Sequence, residues 1–339
     1  MNKERLYYLD FIRTIAVIAI LLTHFNAVFI ISYPMEVWDR MVLTYKVCNL
    51  YIGDFGVALF FVVSGAALMY VYDEKLELKS FFKKRFLAIY PMFWIAYVVA
   101  FFYLFYINKG INMAIPKRNF IFTFLGFDGY LNGVVPNFYI LGEWFLGCII
   151  LIYVVFPLLR WGVNNHPVIC GIVVLALYVL SVWLYNGPIN RVELITTRMP
   201  EILFGMYFVK YIKKVNVPLF IVSLIILIIN TYFAPGWIAS FQTTYIGIAS
   251  FCVLVFIYKF IDRKIVRKIC ACISKYSYAI FLVHHVIIDR ITSTFDLALL
   301  SRTESYLLFI TCCLITAVFA KLLYVANDIC IEKFTKSRA

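Results

Sequence analysis

The sequence predicts an all-α, polytopic integral membrane protein of about ten transmembrane helices. Three observations carry this. The 339 residues are 64% hydrophobic and only 14% charged, where soluble domains carry about 25% charged residues. Apolar runs near the length needed to cross a bilayer recur along the whole chain. Lys and Arg also alternate in density between successive connecting segments, as they do in multi-pass membrane proteins.

Taken in order, the apolar runs predict helices near 8–31, 51–72, 86–107, 138–160, 168–185, 198–212, 218–233, 243–260, 277–295 and 304–326. The first run has no small-residue cleavage site after it and reads as a retained helix. The stretch "RNFIFTFLGFD" (118–128) is apolar but too short to span, and reads as interfacial or re-entrant. With the N-terminus inside, Lys and Arg number 20 in cytoplasmic segments and 9 in outer ones. This predicts that both termini are cytoplasmic. Neither a Gly/Ser linker nor a clear internal repeat appears, so residues 1–339 read as one domain.

A net charge of +13 would suggest nucleic acid as a partner in a soluble protein. Here orientation and lipid account for it, and the expected partner is the bilayer. Nine cysteines fall mostly inside apolar runs and read as small core residues. "CAC" at Cys270 and Cys272 has no companion pair at metal-ligand spacing, so no metal site is expected. Gly-rich phosphate loops and G-x-S-x-G elbows are also absent.

The informative residues are those that lipid penalises. Arg13 and His24 lie 11 residues apart in "LDFIRTIAVIAILLTHF". Three turns plus about 20° place both on one helix face, roughly 16 Å apart along the axis. Asp10 sits a turn below Arg13. Ionisable groups this deep face a cavity or a partner and are functional candidates. The competing reading makes His24 a structural histidine and Arg13 a snorkelling anchor. His284 and His285 lie in "SKYSYAIFLVHHVIIDR", with Ser277 on the face of His284 and Asp289 four residues beyond His285. Asp54, Glu143 and the pair Arg198 and Glu201 fall at outer helix ends. With His24 they form a candidate polar cluster, the alternative being solvated helix termini. At the other face "KSFFKKRFLAIYP" crowds Lys79, Lys83, Lys84 and Arg85. Its two readings are topology with anionic lipid, or a site for an anionic cytosolic donor. These residues alone do not choose between transporter and enzyme.

Five stretches, in order, resemble motifs of the membrane acyltransferase-3 family. Arg13, ten residues, then His24 matches its first-helix signature. "FFVVSGAALMY", "FFKKRFLAIYPMFW", "EWFLGCIILIYVVFPLL" and "SKYSYAIFLVHH" resemble its later patterns. Two positions depart from many members: Ala88 stands where a second arginine is common, and Ile149 where a glutamate is common. The form without that glutamate is similar to the branch containing the enterobacterial common antigen O-acetyltransferase and the intercellular adhesin modifying protein.

The resemblance implies about ten membrane helices, acetyl-CoA or a related acyl-CoA as donor substrate rather than a bound cofactor, and a cell-surface glycan as acceptor. It implies O-acetyl transfer in a bacterial cytoplasmic membrane. Arg13, Lys84 and Arg85 would hold the anionic donor. His24 would act as base or acyl carrier, with Asp54, Glu143 or His284 orienting it or the sugar. A transporter or flippase for a glycan or small polar solute is the alternative. Oligomeric state is left open.

Overall fold

The structure, a computed structural model, describes residues 4–139 and 141–336, with side chains as far as Lys333. Among these residues the chain is an all-α, polytopic membrane protein. Helices α1 (Tyr7–Ser32), α2 (Ile52–Tyr72) and α3 (Leu78–Ile107) are followed by the short α4 (Phe120–Leu125). Then come α5 (Glu143–Asn165), α6 (Pro167–Trp183), α7 (Ile195–Tyr207), α8 (Val217–Phe233), α9 (Ala239–Ile261), α10 (Lys264–Thr292) and α11 (Arg302–Lys336). Seven of them (α1, α2, α3, α5, α9, α10 and α11) are long and apolar enough to cross a membrane, and α6 and α8 are shorter apolar helices. Each of the ten predicted runs coincides with a helix, but α7 spans only 13 residues before a π-helical turn at Phe208–Ile212.

Three boundaries move for physical reasons. Helix α3 begins at Leu78 rather than 86, because "LKSFFKKR" consists mostly of good helix formers that the apolar window excludes. Helix α10 begins at Lys264 rather than 277. Its first turns are an amphipathic basic helix, not the loop that their charge suggested. Helix α5 begins at Glu143 rather than 138. Gly142 (φ +87°) and Glu143 (φ +45°) are left-handed, so the chain turns a corner there. Glycine takes that conformation freely, whereas at Glu143 it costs about 1 kcal/mol or more.

Packing places α10, α1, α2 and α7 as successive neighbours, with α5 against α7 and α3. Two glycines set the α2–α7 crossing. A Cβ on Gly65 would lie 2.0 Å from the Ile202 carbonyl oxygen, and one on Gly205 would lie 2.0 Å from that of Val62. Small residues of this kind let membrane helices approach closely. At the Tyr7 end of the bundle, the Lys210 ammonium donates to Asp73 (2.7 Å) and Asn164 (2.5 Å), while Arg160 caps the end of α2 through Tyr72 and Asp73. These bonds tie α2, α5 and the turn after α7 together.

Two segments cover the opposite, Ser32 end. Buried Asn26 exchanges hydrogen bonds with the backbone of Val42 (2.9 and 3.0 Å), pinning the 33–51 segment and its small hairpin (β1, Lys46–Val47; β2, Leu50–Tyr51) over α1. The 108–139 segment dips back along α3. Trp94 donates to the Phe124 carbonyl (2.9 Å) and Tyr90 to that of Leu125 (3.1 Å). Trp94 lies roughly 20 Å down the axis from Ile107, so α4 packs alongside α3 well back from its end, a short helix of its own where the sequence shows an apolar stretch too short to span.

Candidate active site

Four of the candidate residues converge at the Ser32 end. His24 from α1 has its Nε2 at 3.2 Å from Glu143 Oε1, at the corner that opens α5. The imidazole of His285 from α10 lies 5.0 Å from that of His24, centre to centre. Together with Asp54 of α2 they line a cavity of 480 Å³, whose wall also carries Tyr51, Trp144 and Asp289. Among the described residues no lysine or arginine lines it.

His284 is not in this wall. It is fully buried behind His24, with the rings 4.6 Å apart and edge to face. Its Nδ1–H donates to the carbonyl of Phe281 (2.8 Å) within its own helix. That bond sets the tautomer and leaves Nε2 as an acceptor, buried without a partner among the described residues.

Glu143 reaches His24 because the 108–139 segment supports it. Gly129 lies directly under its backbone, where a Cβ would come within 2.1 Å of the Glu143 carbonyl carbon. Gly147, one turn into α5, accepts Tyr130 in the same way, at 2.5 Å. The left-handed corner at Gly142 then directs the carboxylate toward α1.

A buried charge pair forms the floor beneath Asp54. Arg198 and Glu201 of α7 are 1% and 0% exposed and 3.2 Å apart. They are therefore not the solvated helix terminus that their spacing left open. The Arg198 guanidinium also donates to the Val192 carbonyl (2.6 Å), stands 3.9 Å from Asp54 and lies over the Trp144 ring at 5.4 Å. Glu201 accepts from Thr244 of α9 (3.3 Å). Thr244 was not identified from the sequence, since nothing marks one membrane threonine among several.

Toward the Tyr7 end, Arg13 donates through Nη1 to Ser274 of α10 (2.8 Å). Asp10 does not pair with Arg13 but with Arg5, at 2.6 Å. Arg85 turns inward, its guanidinium 5.5 Å from the Tyr153 ring, and its buried Nε has no acceptor among the described residues. One turn beyond Ser274, Tyr278 of α10 donates to the Ile89 carbonyl of α3 (3.2 Å), itself one turn beyond Arg85, so the two arginines lie on adjoining helices at the same end, whereas Lys84 is exposed on the outer surface of α3. Ser277 bonds the Ser274 carbonyl (2.9 Å). Ser274 and Tyr153 fall within two of the stretches that resemble family motifs, but sequence reasoning singled out neither, since each is one polar group among several in its helix.

The fold and this site define a polytopic membrane protein with an acid–imidazole pair in a cavity at one end and two guanidinium groups toward the other. Residues 6–325 match the family model Acyl_transf_3, described as an acyltransferase domain. The chain therefore belongs to the membrane acyltransferase-3 family and is a membrane acyltransferase. No curated protein and no solved structure matches it.

Proposed function

We propose that the protein transfers an acyl group, most simply acetyl from acetyl-CoA, to a hydroxyl of a cell-surface glycan or its precursor. In this reading it sits in a bacterial cytoplasmic membrane with both termini in the cytosol, so the His24 cavity opens outward. The observation that carries the reading is the His24–Glu143 contact at 3.2 Å inside that cavity.

The carboxylate accepts the Nε2–H of His24, which fixes the tautomer and leaves Nδ1 with its lone pair. That nitrogen takes the proton from the acceptor hydroxyl as the oxygen attacks the thioester carbonyl. The new C–O bond forms, the C–S bond breaks, and the proton passes to the departing thiolate. Glu143 stabilises the imidazolium formed in between. Asp54, held by Arg198, and the aromatic faces of Tyr51 and Trp144 would seat the sugar.

Donor phosphates would bind toward the cytosolic end. Arg13 and Arg85 supply guanidinium groups suited to phosphate, and the extended arm of the donor would bridge the roughly 16 Å to His24. Lys84, on the surface, would contribute only long-range attraction. Lacking arginine at Ala88 and glutamate at Ile149, the chain leans on these groups and on Glu143, in keeping with the O-acetyltransferase branch it resembles. Family membership argues against the transporter reading. The test is incubation of purified protein with radiolabelled acetyl-CoA and crude surface glycan; label should move to the glycan, and its failure to do so with intact donor and several glycans would reject this reading.

A further inference from the structure

We propose that His24, Glu143 and His285 form a binding site for a divalent cation of the zinc type, and that its occupancy blocks acyl transfer. One ligand atom from each of the three residues lies within 4.8 Å of the others. They come from three different helices, α1, α5 and α10, so packing and not local sequence assembles the set. This is why metal-ligand spacing was absent from the sequence.

The chemistry suits zinc. Two imidazoles and one carboxylate are a common protein donor set for it, with Zn–N and Zn–O distances of about 2.0–2.2 Å. A tetrahedron of that size has edges of roughly 3.3 Å. The His24–Glu143 separation of 3.2 Å already matches such an edge. The third donor lies farther out, but His285 is exposed and faces the cavity. A side-chain rotation that moves its nitrogen by about 1.5 Å completes the triangle.

The surroundings favour a cation as well. Asp54 and Asp289 stand with Glu143 in the cavity wall, which has no lysine or arginine among the described residues. Arg198, behind the wall, offsets Asp54 at 3.9 Å, so Glu143 and Asp289 supply the attraction for positive ions, and Asp289, one helical turn from His285, is placed to supply a fourth oxygen. Three protein ligands leave a position open to the cavity, where a water or Asp289 would bind.

The inhibitory half of the proposal rests on the acyltransferase reading; the binding half does not. A bound cation takes His24 Nε2, which forces the remaining ring proton onto Nδ1 and so removes the lone pair that would accept the hydroxyl proton, and it engages the carboxylate that orients the ring. It also occupies the space intended for the sugar.

Binding is measured with Zn²⁺ alone, on purified, thiol-alkylated protein, by competition with a chromogenic chelator. One zinc per chain is expected. His285→Ala and His285→Asn should each weaken it at least tenfold, since even loss of an outer-shell partner costs about 10–100-fold. As a check independent of folding in variants, zinc should protect His24 and His285 of the wild-type protein from diethyl pyrocarbonate, read by mass spectrometry. His166, exposed and outside the cavity, should stay reactive. Unchanged zinc affinity in the His285 variants, or no protection of His24, overturns the site. In the transfer assay, zinc should inhibit the wild type, and the inhibitory concentration should rise at least tenfold in His285→Asn. Stimulation by zinc, or equal inhibition in both proteins, overturns the inhibitory half. Protection at His24 with no transfer to any glycan would leave the metal site standing and reject the acyltransferase reading instead.

Discussion

The imidazole of His24 and the carboxylate of Glu143 meet at 3.2 Å across two helices far apart in the sequence. Each is costly to place in a membrane alone. Together they form a unit in which the acid sets the ring's tautomer. If Glu143 orients and stabilises His24, Glu143→Gln should leave a folded protein whose turnover falls by about 10²–10⁴. Donor affinity should stay within a factor of two or three. A comparable loss in donor affinity would place Glu143 in donor binding instead.

Gly129 does not line the cavity, yet its lack of a side chain positions Glu143. Gly129→Ala would put a methyl group within 2.1 Å of the Glu143 backbone. Relief requires the α5 corner to shift, at a cost of about 1–3 kcal/mol. Transfer should fall strongly while the bundle still runs monodisperse in detergent. Gly236→Ala, where a Cβ meets nothing within 4 Å, is the matched control and should behave as wild type.

The inner arginines separate from the surface lysine. Arg13→Ala should weaken acyl-CoA binding by about 10- to 150-fold, the equivalent of one charge-assisted contact of about 1.5–3 kcal/mol. Lys at position 13 should restore only part of this, because an ammonium lacks the planar fork. Arg85→Ala should behave like Arg13→Ala, and Lys84→Ala should change little. Calorimetry on the purified variants measures all four. A loss in Lys84→Ala as large as that in Arg13→Ala would move the donor to the outer surface of α3.

Asp262, in the short connection before α10, accepts two hydrogen bonds of 2.6 Å from Arg267 and one of 2.7 Å from Tyr258. The Arg267 guanidinium, then the Tyr258 hydroxyl, hold this carboxyl down at about 2. A depressed carboxyl stabilises the fold above its unfolded pKa of about 4 and loses that contribution as pH falls toward 2. Asp262→Asn should therefore lower the melting temperature slightly at pH 7, and the difference from wild type should shrink from pH 4 downward. A constant difference across that range would show that the ion pair is not its source.

The helices were legible because lipid demands long apolar runs, and ten such runs appear where ten helices lie. Their ends were less legible. The basic start of α10 fails an apolarity criterion while remaining a good amphipathic helix, and the late start of α5 depends on left-handed backbone at Gly142 and Glu143. Within the site, Arg13 and His24 stood out because one helix carries both at a helical spacing. The His24–Glu143 contact and the burial of Arg198 with Glu201 depend on how α1, α2, α5 and α7 cross. That information resides in close approaches such as Gly65 on Ile202, which a single sequence does not display.

The central claim is that His24 performs the proton transfer in acyl transfer. It is tested most directly by the rate of radiolabel transfer from acetyl-CoA to glycan in His24→Ala, beside wild type, with donor binding measured on the same samples. The account predicts a loss of about 10² or more in turnover, with a monodisperse protein that still binds acyl-CoA. Near-normal turnover in His24→Ala would contradict it.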